Sequence, residues 1–310
     1  MITLDRLKLV ASIDSISILD PSAFETNIKD GQLCSLNFYQ QTPFLLRIKI
    51  DYVERELVVE FTGKVLLGDY PKLISEETIE QCFLNINALG FCKFDIDKMM
   101  ESEVVSCDVT KDIECDDVPQ LCTYIKSHIR NYNSYSCKLH PTKNLTIEKN
   151  VITRKCKKRM IIYDKGEEMS NASNRDYVRD NHLEDVFDGK CRFELNLNCK
   201  KQIRESLNVS DTSLRSVLSA SANPIADFVE AFMAKDDGGI EISDRKSYMT
   251  MLVLKDNDFD IEKVEAKMRT LYKRGTKFSE VMKPYRDMLE QMKFSDDDKD
   301  TVSTLLRQLR

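Results

Sequence analysis

The sequence predicts an α+β protein: a mostly antiparallel sheet domain followed by a helical C-terminal part. Three observations predict it. The first two thirds of the chain hold short runs rich in β-branched and apolar residues, such as Phe44–Asp51 and Glu56–Leu67. From about Lys200 apolar residues recur at helical spacing, as in Ile261, Val264, Met268 and Leu271. The 310 residues are 42% hydrophobic and 32% charged, which is a globular composition with enough apolar material for a sizeable core. The division expected is a sheet-rich domain over 1–200 and a helical one over 201–310.

The elements follow in order. Leu4 to Leu19 alternates loosely and reads as extended. Ser75–Leu89 reads as a helix capped by Ser75, with Ile79, Cys82, Phe83, Ile86 and Leu89 on one face and Gly90 as its stop. A strand follows near Val104–Ile113, then a helix over Val118–Arg130 with Pro119 in its first turn. Strands are expected at Leu145–Ile152, Lys158–Lys165 and Lys190–Asn198. Lys201–Leu207, Ser213–Met233, Ile261–Lys273 and Lys277–Met292 read as helices, with a hinge at Lys235-Asp236-Asp237-Gly238-Gly239.

Composition excludes several classes. No run of about 18 apolar residues occurs, and the N-terminus lacks a basic start with an apolar run, so a soluble cytoplasmic protein is expected. The ten cysteines contain no CxxC pair, which argues for reduced, buried thiols rather than disulfides or zinc. No GxxxxGK[ST], GxGxxG or Gly-x-Ser-x-Gly is present. The three histidines, His128, His140 and His182, form no His-x-His pair. The net charge of −6 does not exclude nucleic acid, because charge is segregated. Arg154, Lys155, Lys157, Lys158 and Arg159 form a basic run, the expected DNA-binding residues.

Three strands place polar residues where a buried sheet would want apolar ones. Side chains two apart on a strand share a face. In Arg159–Lys165 that face carries Arg159, Ile161, Tyr163 and Lys165. A tyrosine hydroxyl is a weak nucleophile until a cation or metal stabilises the phenolate, a task open to Lys165. The plainer reading is an exposed edge-strand tyrosine. In Cys191–Asn198, Phe193, Leu195 and Leu197 make the apolar face and Arg192, Glu194, Asn196 and Asn198 the other. That second face either meets solvent or offers Arg192 to phosphate and Glu194 to a divalent cation. Asp108, Thr110 and Asp112 share a face of a third strand, which calls for a metal or an edge position, since aspartate is a poor strand former. Asp108, Asp112, Glu194 and Glu167 are the candidate ligands for Mg²⁺ or Mn²⁺, provided the strands lie side by side.

These segments together resemble the replication initiation factor family of rolling-circle plasmids (the Rep-trans type) and the related filamentous-phage gene II/X replication proteins. Such families carry "Arg-Ile-Asp-hydrophobic-x-x-Asp", then "hydrophobic-Tyr-Asp-Lys-Gly-x-Glu", then "Arg-Phe-Glu-hydrophobic". The corresponding segments are Cys107–Asp112, Ile161–Glu168 and Arg192–Leu195, in the same order, with Cys107 where arginine is common. The resemblance covers about Phe61 to Asn198. It implies a metal-dependent endonuclease that nicks one strand at an origin through a tyrosine–5′-phosphate intermediate and later rejoins it. It further implies Mg²⁺ or Mn²⁺, an internally duplicated sheet domain, frequent homodimers, and duplex and single-stranded origin DNA with a host helicase as partners. Tyr163, Lys165 and Arg192 are the catalytic candidates, with Tyr177 and Tyr285 as rival nucleophiles.

Two other classes stay open. One is an origin-binding initiator or copy-number regulator without chemistry, with Ser213–Met233 as a helix-break-helix. The other is an interaction protein with no affinity for DNA. Neutralising Lys157 and Lys158 is expected to weaken DNA binding and flatten its salt dependence; an unaltered slope in a salt titration would reject the basic run as the contact.

Overall fold

In the computed structural model, the described residues are 2–127, 129, 134–142, 144–149, 158–233, 244–272, 277–292 and 296–310. The fold is α+β, as the patterning predicts. Compactness divides the chain into two units, 1–118 with 151–225 and 119–150 with 226–310. Each unit is therefore discontinuous in sequence, whereas the expected division at 200/201 ran simply along the chain.

The first unit opens with β1 (Leu4–Ser12), β2 (Ile16–Ile18), β3 (Glu25–Lys29), β4 (Gln32–Gln40), β5 (Leu46–Asp51) and β6 (Glu56–Thr62). Two 3-10 turns kinked at Leu67 cover Gly63–Lys72. Then come α1 (Ile79–Asn87), β7 (Cys92–Phe94), α2 (Ile96–Met100) and β8 (Glu103–Glu114). The second unit takes over with α3 (Val118–Ser127), β9 (Tyr135–Leu139) and β10 (Leu145–Lys149). The chain returns to the first unit for β11 (Arg159–Asp164), α4 (Lys165–Ser170), α5 (Arg175–Asp180), β12 (Lys190–Leu197), α6 (Lys200–Leu207) and α7 (Leu214–Leu218). It ends in the second with α8 (Pro224–Phe232), α9 (Arg245–Lys255), α10 (Ile261–Leu271), α11 (Phe278–Gln291) and α12 (Asp296–Leu309).

In the first unit the main sheet runs β3-β4-β5-β6-β1-β8-β12-β11, antiparallel at each of these pairings. One face is apolar. Leu7 pairs with Phe61 and Cys107, Val109 with Leu195, and Phe193 with Ile162, and all seven are buried. The ring of Phe83 on α1 meets Phe61 edge-on at 6.0 Å, and α6 and α7 pack on β8. The second unit holds the β9–β10 hairpin and its own core of Leu254, Val264, Met268, Met282, Met288 and Leu289.

Several boundaries differ from the sequence reading, each for a local reason. The first helix begins at Ile79, not Ser75, because Thr78 Oγ1 accepts the Ser75 N–H at 2.8 Å and donates to the Leu73 carbonyl at 2.6 Å, closing a turn there. Lys165 is not the end of a strand but the first residue of α4. Asp164 caps that helix by accepting the Glu167 N–H at 2.9 Å. Ser213–Met233 is two helices, the first capped by Ser213 at 3.2 Å and the second opening at Pro224. Leu271 is 69% exposed, so the buried stripe of α10 ends at Met268. The expected hinge at 235–239 and the stop at Gly275 lie outside the described residues. None of the described cysteines forms a disulfide, and Cys82, Cys92, Cys107, Cys122 and Cys191 are buried. Cys156 lies outside the described residues. No helix among the described residues is long and apolar enough to cross a membrane.

Phe193 is fully buried at the middle of β12. Phe193→Ala is expected to destabilise the protein by about 3–5 kcal/mol, read from its urea midpoint. A loss below about 1 kcal/mol would mean that β12 does not anchor the core.

Candidate functional site

The opposite face of the sheet is polar, and the three segments singled out in the sequence meet on it. Arg192 stands directly across from Asp112 on one side and from Tyr163 on the other. Glu194 stands across from Thr110, and Asn196 from Asp108 and Arg159. Directly paired residues project to the same side of a sheet, so register alone gathers these groups.

Arg192 is fully buried. Its Nε and Nη2 donate to the two oxygens of Asp112 at 2.6 and 2.7 Å, a two-toothed pair. Its Nη1 donates to the Tyr70 hydroxyl at 2.9 Å and lies 3.3 Å from Asp5 Oδ1. Asp5 sits where the β1–β8 register slips between Leu4 and Arg6, and its Oδ1 is shut off from solvent with no hydrogen bond. Burial alone would raise the Asp5 carboxyl, but Arg192 and then Lys165 hold it below its ordinary value. Gly63 lies beside this pair; a Cβ there would meet Asp5 Oδ1 at 3.1 Å and the Tyr70 ring at 3.2 Å.

Lys165, 2% exposed, donates to Glu168 at 2.5 Å and lies 5.0 Å from the Tyr70 ring centre and 5.9 Å from that of Tyr163. Lys64 donates to Asn174 at 2.8 Å and pairs with Glu168 at 3.8 Å. Burial lowers the Lys64 ammonium. Glu168 is held low against burial by Lys165 and Lys64. An apolar cluster of Tyr70, Leu73, Met169, Tyr177, Leu183 and Phe187 packs over these groups.

The Tyr163 hydroxyl donates to Glu194 Oε1 at 2.6 Å. Burial, and then the Glu194 charge, push that phenol well above its usual range. Burial, and then the Asp5 charge, push the Glu194 carboxyl up to about 7. The pair can therefore exchange a proton near neutrality if the phenol oxygen bonds to an electrophile in the same step.

Each expected catalytic and metal-site residue has a definite place. Arg192 and Lys165 do not face solvent: both are sequestered in ion pairs, so direct phosphate contact is replaced by a structural and electrostatic role. The four expected metal ligands do not form one set. Asp112 is closed by Arg192, and Asp108 is closed by Arg6, whose Nε and Nη2 donate to it at 2.8 and 3.1 Å. Glu194 holds Tyr163, and Glu167 is exposed on α4. These residues do not fit a shared Mg²⁺ or Mn²⁺ site, and among the described residues no group of three or more His, Cys, Asp or Glu is arranged to hold a metal.

Of the basic run, Arg154, Lys155 and Lys157 lie outside the described residues. Arg159 is exposed and donates to Asn196 at 2.9 Å, and Lys158 is half-buried. His128 also lies outside the described residues, and His140 contacts Thr146 Oγ1 at 3.0 Å. The rival tyrosines are differently employed. The Tyr177 hydroxyl donates to the carbonyls of Lys64 and Leu67 at 2.8 and 3.1 Å, and Tyr285 lies on α11 against Met268.

Sequence reasoning missed Asp5, Lys64, Tyr70, Glu168 and Asn174. For Asp5 the signal was available, since it interrupts an apolar strand as Asp108 and Asp112 do. For Lys64, Tyr70 and Asn174, in aperiodic segments, there was none. The chain matches no protein-family model and no curated protein.

The raised Glu194 carboxyl has a definite stability signature. From its ordinary 4.5 up to about 7 the unfolded chain releases this proton while the folded chain retains it. The group is neutral to stability below that window and lowers stability progressively across it, by on the order of 3 kcal/mol at the top, with no further change above. Glu194→Gln is expected to remove this decline, seen as a difference between two pH series of urea midpoints. Parallel curves would contradict the assignment.

Proposed function

We propose that the chain is a cytoplasmic rolling-circle replication initiator that nicks and rejoins one strand at a plasmid or phage origin. The observation that supports this best is the 2.6 Å hydrogen bond from the Tyr163 hydroxyl to Glu194, with the Lys165 ammonium 5.9 Å from the same ring. It agrees with the motif resemblance of Ile161–Glu168 and Arg192–Leu195.

The chemistry follows from that pair. The Tyr163 oxygen attacks a backbone phosphorus, and its proton passes to Glu194. The bond from phosphorus to the 3′ oxygen breaks, and that oxygen leaves as a hydroxyl after taking a proton from solvent. The 5′ phosphate remains on tyrosine. In rejoining, a 3′ hydroxyl attacks the phosphotyrosine and gives its proton to solvent, while Glu194 returns its proton to the departing phenol. Glu194 thus acts as the base and then the acid, in place of the metal ligand expected from sequence. Lys165 and Arg192 stabilise developing charge through the field of the network, without touching DNA. The partners implied are origin DNA, a host helicase and a second copy of the chain.

A second reading is an origin-binding initiator or copy-number regulator without chemistry. The burial of Arg192 and Lys165 favours it, because neither cation is open to a phosphate beside Tyr163.

The deciding experiment incubates labelled single-stranded origin DNA with the protein and Mg²⁺, then runs a denaturing gel. Label on a protein-sized band, lost in Tyr163→Phe, is expected. Glu194→Gln should slow its formation by roughly 10²–10⁴-fold, and the wild-type rate should climb as pH passes about 7. An adduct that persists in Tyr163→Phe removes that residue from the role. DNA binding with no adduct supports the second reading. Loss of the adduct in EDTA would restore a divalent cation to the chemistry.

A further inference from the structure

Neighbouring antiparallel strands can be joined by a turn of about two to five residues. β11 and β12 are such neighbours, yet the chain between them runs from Lys165 to Gly189 and carries α4 and α5. From Ser170 to Gly189 most side chains are exposed, and the buried ones are Asn174, Tyr177, Leu183 and Phe187. Tyr177, Leu183 and Phe187 join Tyr70, Leu73 and Met169 in a cluster of their own on the polar side of the sheet. The core around Phe193 lies on the other side. A small satellite cluster of this kind opens at a lower cost than the main core.

The segment is fastened to the loop Gly63–Lys72. Lys64 donates to Asn174 at 2.8 Å, and the Tyr177 hydroxyl donates to the carbonyls of Lys64 and Leu67 at 2.8 and 3.1 Å. The Tyr70 ring meets those of Tyr177 and Phe187 at 6.1 and 5.5 Å. This clasp holds Leu67 at φ 57° and ψ −121°, a strained conformation for an L residue, so opening releases strain as it breaks bonds. Both ends of the segment are suited to bend. Asn171 leaves α4 at φ −58° and ψ 145°, and Gly189 sits at φ 65°, where glycine is free. Beneath the segment lies the charged network. The Phe187 ring centre is 5.7 Å from the Lys165 ammonium and 5.8 Å from the Arg192 guanidinium carbon.

We propose that residues 171–188 are a lid, hinged at Asn171 and Gly189, that opens without unfolding the sheet and uncovers Lys165 and Arg192. Its purpose rests on the nicking reading: the open lid admits the strand to the space beside Tyr163, and the closed lid keeps the site shut. The opening itself does not rest on that reading.

Native-state hydrogen exchange in rising urea, read by mass spectrometry, tests the opening without DNA. Amides of 171–188 are expected to exchange about tenfold or more faster than those of β8 and β12, at a rate nearly independent of urea until global unfolding takes over. Phe193→Ala should speed exchange in β8 and β12 by about a hundredfold or more and leave 171–188 unchanged, because Phe193 belongs to the core that stays shut. Leu183→Ala, within the lid cluster, should speed exchange of 171–188 by about thirtyfold or more. Acetylation of Lys165 by an N-hydroxysuccinimide ester should rise in step. If Phe193→Ala does not fold, the wild-type urea series and Leu183→Ala decide. Lid amides that share the urea slope of β12, or that Phe193→Ala speeds equally, would overturn the lid. Lys165 acetylated no faster in Leu183→Ala would overturn what it uncovers. On the adduct gel Leu183→Ala should react faster than wild type; an equal or slower rate rejects the gating. The two proposals fail separately. A wild-type adduct with 171–188 exchanging only through global unfolding rejects the lid and keeps the nick. Exchange by local opening, with no adduct, does the reverse.

Discussion

A guanidinium without solvent is the constraint around which the first unit is arranged. Arg192 projects from the middle of a sheet into a space closed by aromatic rings, and burying an unpaired charge there would cost several kcal/mol. Each of its three nitrogens therefore needs an acceptor, and the surrounding chain supplies one to each. Asp112 takes two from the next strand, Tyr70 takes one from the 3-10 turns, and Asp5 adds a second negative charge. The slip in the β1–β8 register falls at Asp5, and Gly63 keeps a Cβ out of the space that Asp5 and Tyr70 need. Local irregularities that would weaken an ordinary sheet are accounted for by one side chain.

The same constraint explains why Glu194 differs from its neighbours. Lys64, Lys165 and Arg192 face Asp5, Asp112 and Glu168, a balanced set without it. A fourth carboxylate in this space has burial and Asp5 against it and no cation left over. It consequently holds its proton to near neutrality, where a base that must both take and return a proton works best. A partner of fixed charge, such as a glutamine or a salt-bridged carboxylate, would bind the Tyr163 hydroxyl without that capacity.

Much of this was legible in the sequence, and the reasons for the rest are physical. The alternation of Phe193, Leu195 and Leu197 against Arg192, Glu194 and Asn196 survives folding because strand periodicity is a local property. The acidic strand Asp108–Asp112 was recognisable because aspartate resists the β conformation. What those carboxylates hold was not legible: whether Asp112 meets a metal or an arginine depends on which strand lies beside it. The turn into α4 was written in Asp164 and Glu167, an N-cap and its third helical residue, but the apolar run before it read as a strand continuing to Lys165. Tyr70, Lys64 and Asn174 come from segments with no period, so nothing in the sequence could place them over Arg192.

On the proposed nicking reading, three tyrosines compete for the role of nucleophile, and hydroxyl partners separate them. Tyr177 donates to two backbone carbonyls, so moving its oxygen would break the chain's own turn at Gly63–Leu67. Tyr285 lies in the second unit against a thioether, with no base beside it among the described residues. Tyr163 alone of the three donates to a carboxylate able to accept its proton, at the end of a strand that rigid pairing with β12 holds in place. A reacting oxygen needs a fixed position and somewhere to send its proton. The sheet supplies the first through register and the second through Glu194, while stability is left to the apolar face. That separation lets the polar face carry half-buried and charged groups that no core would tolerate.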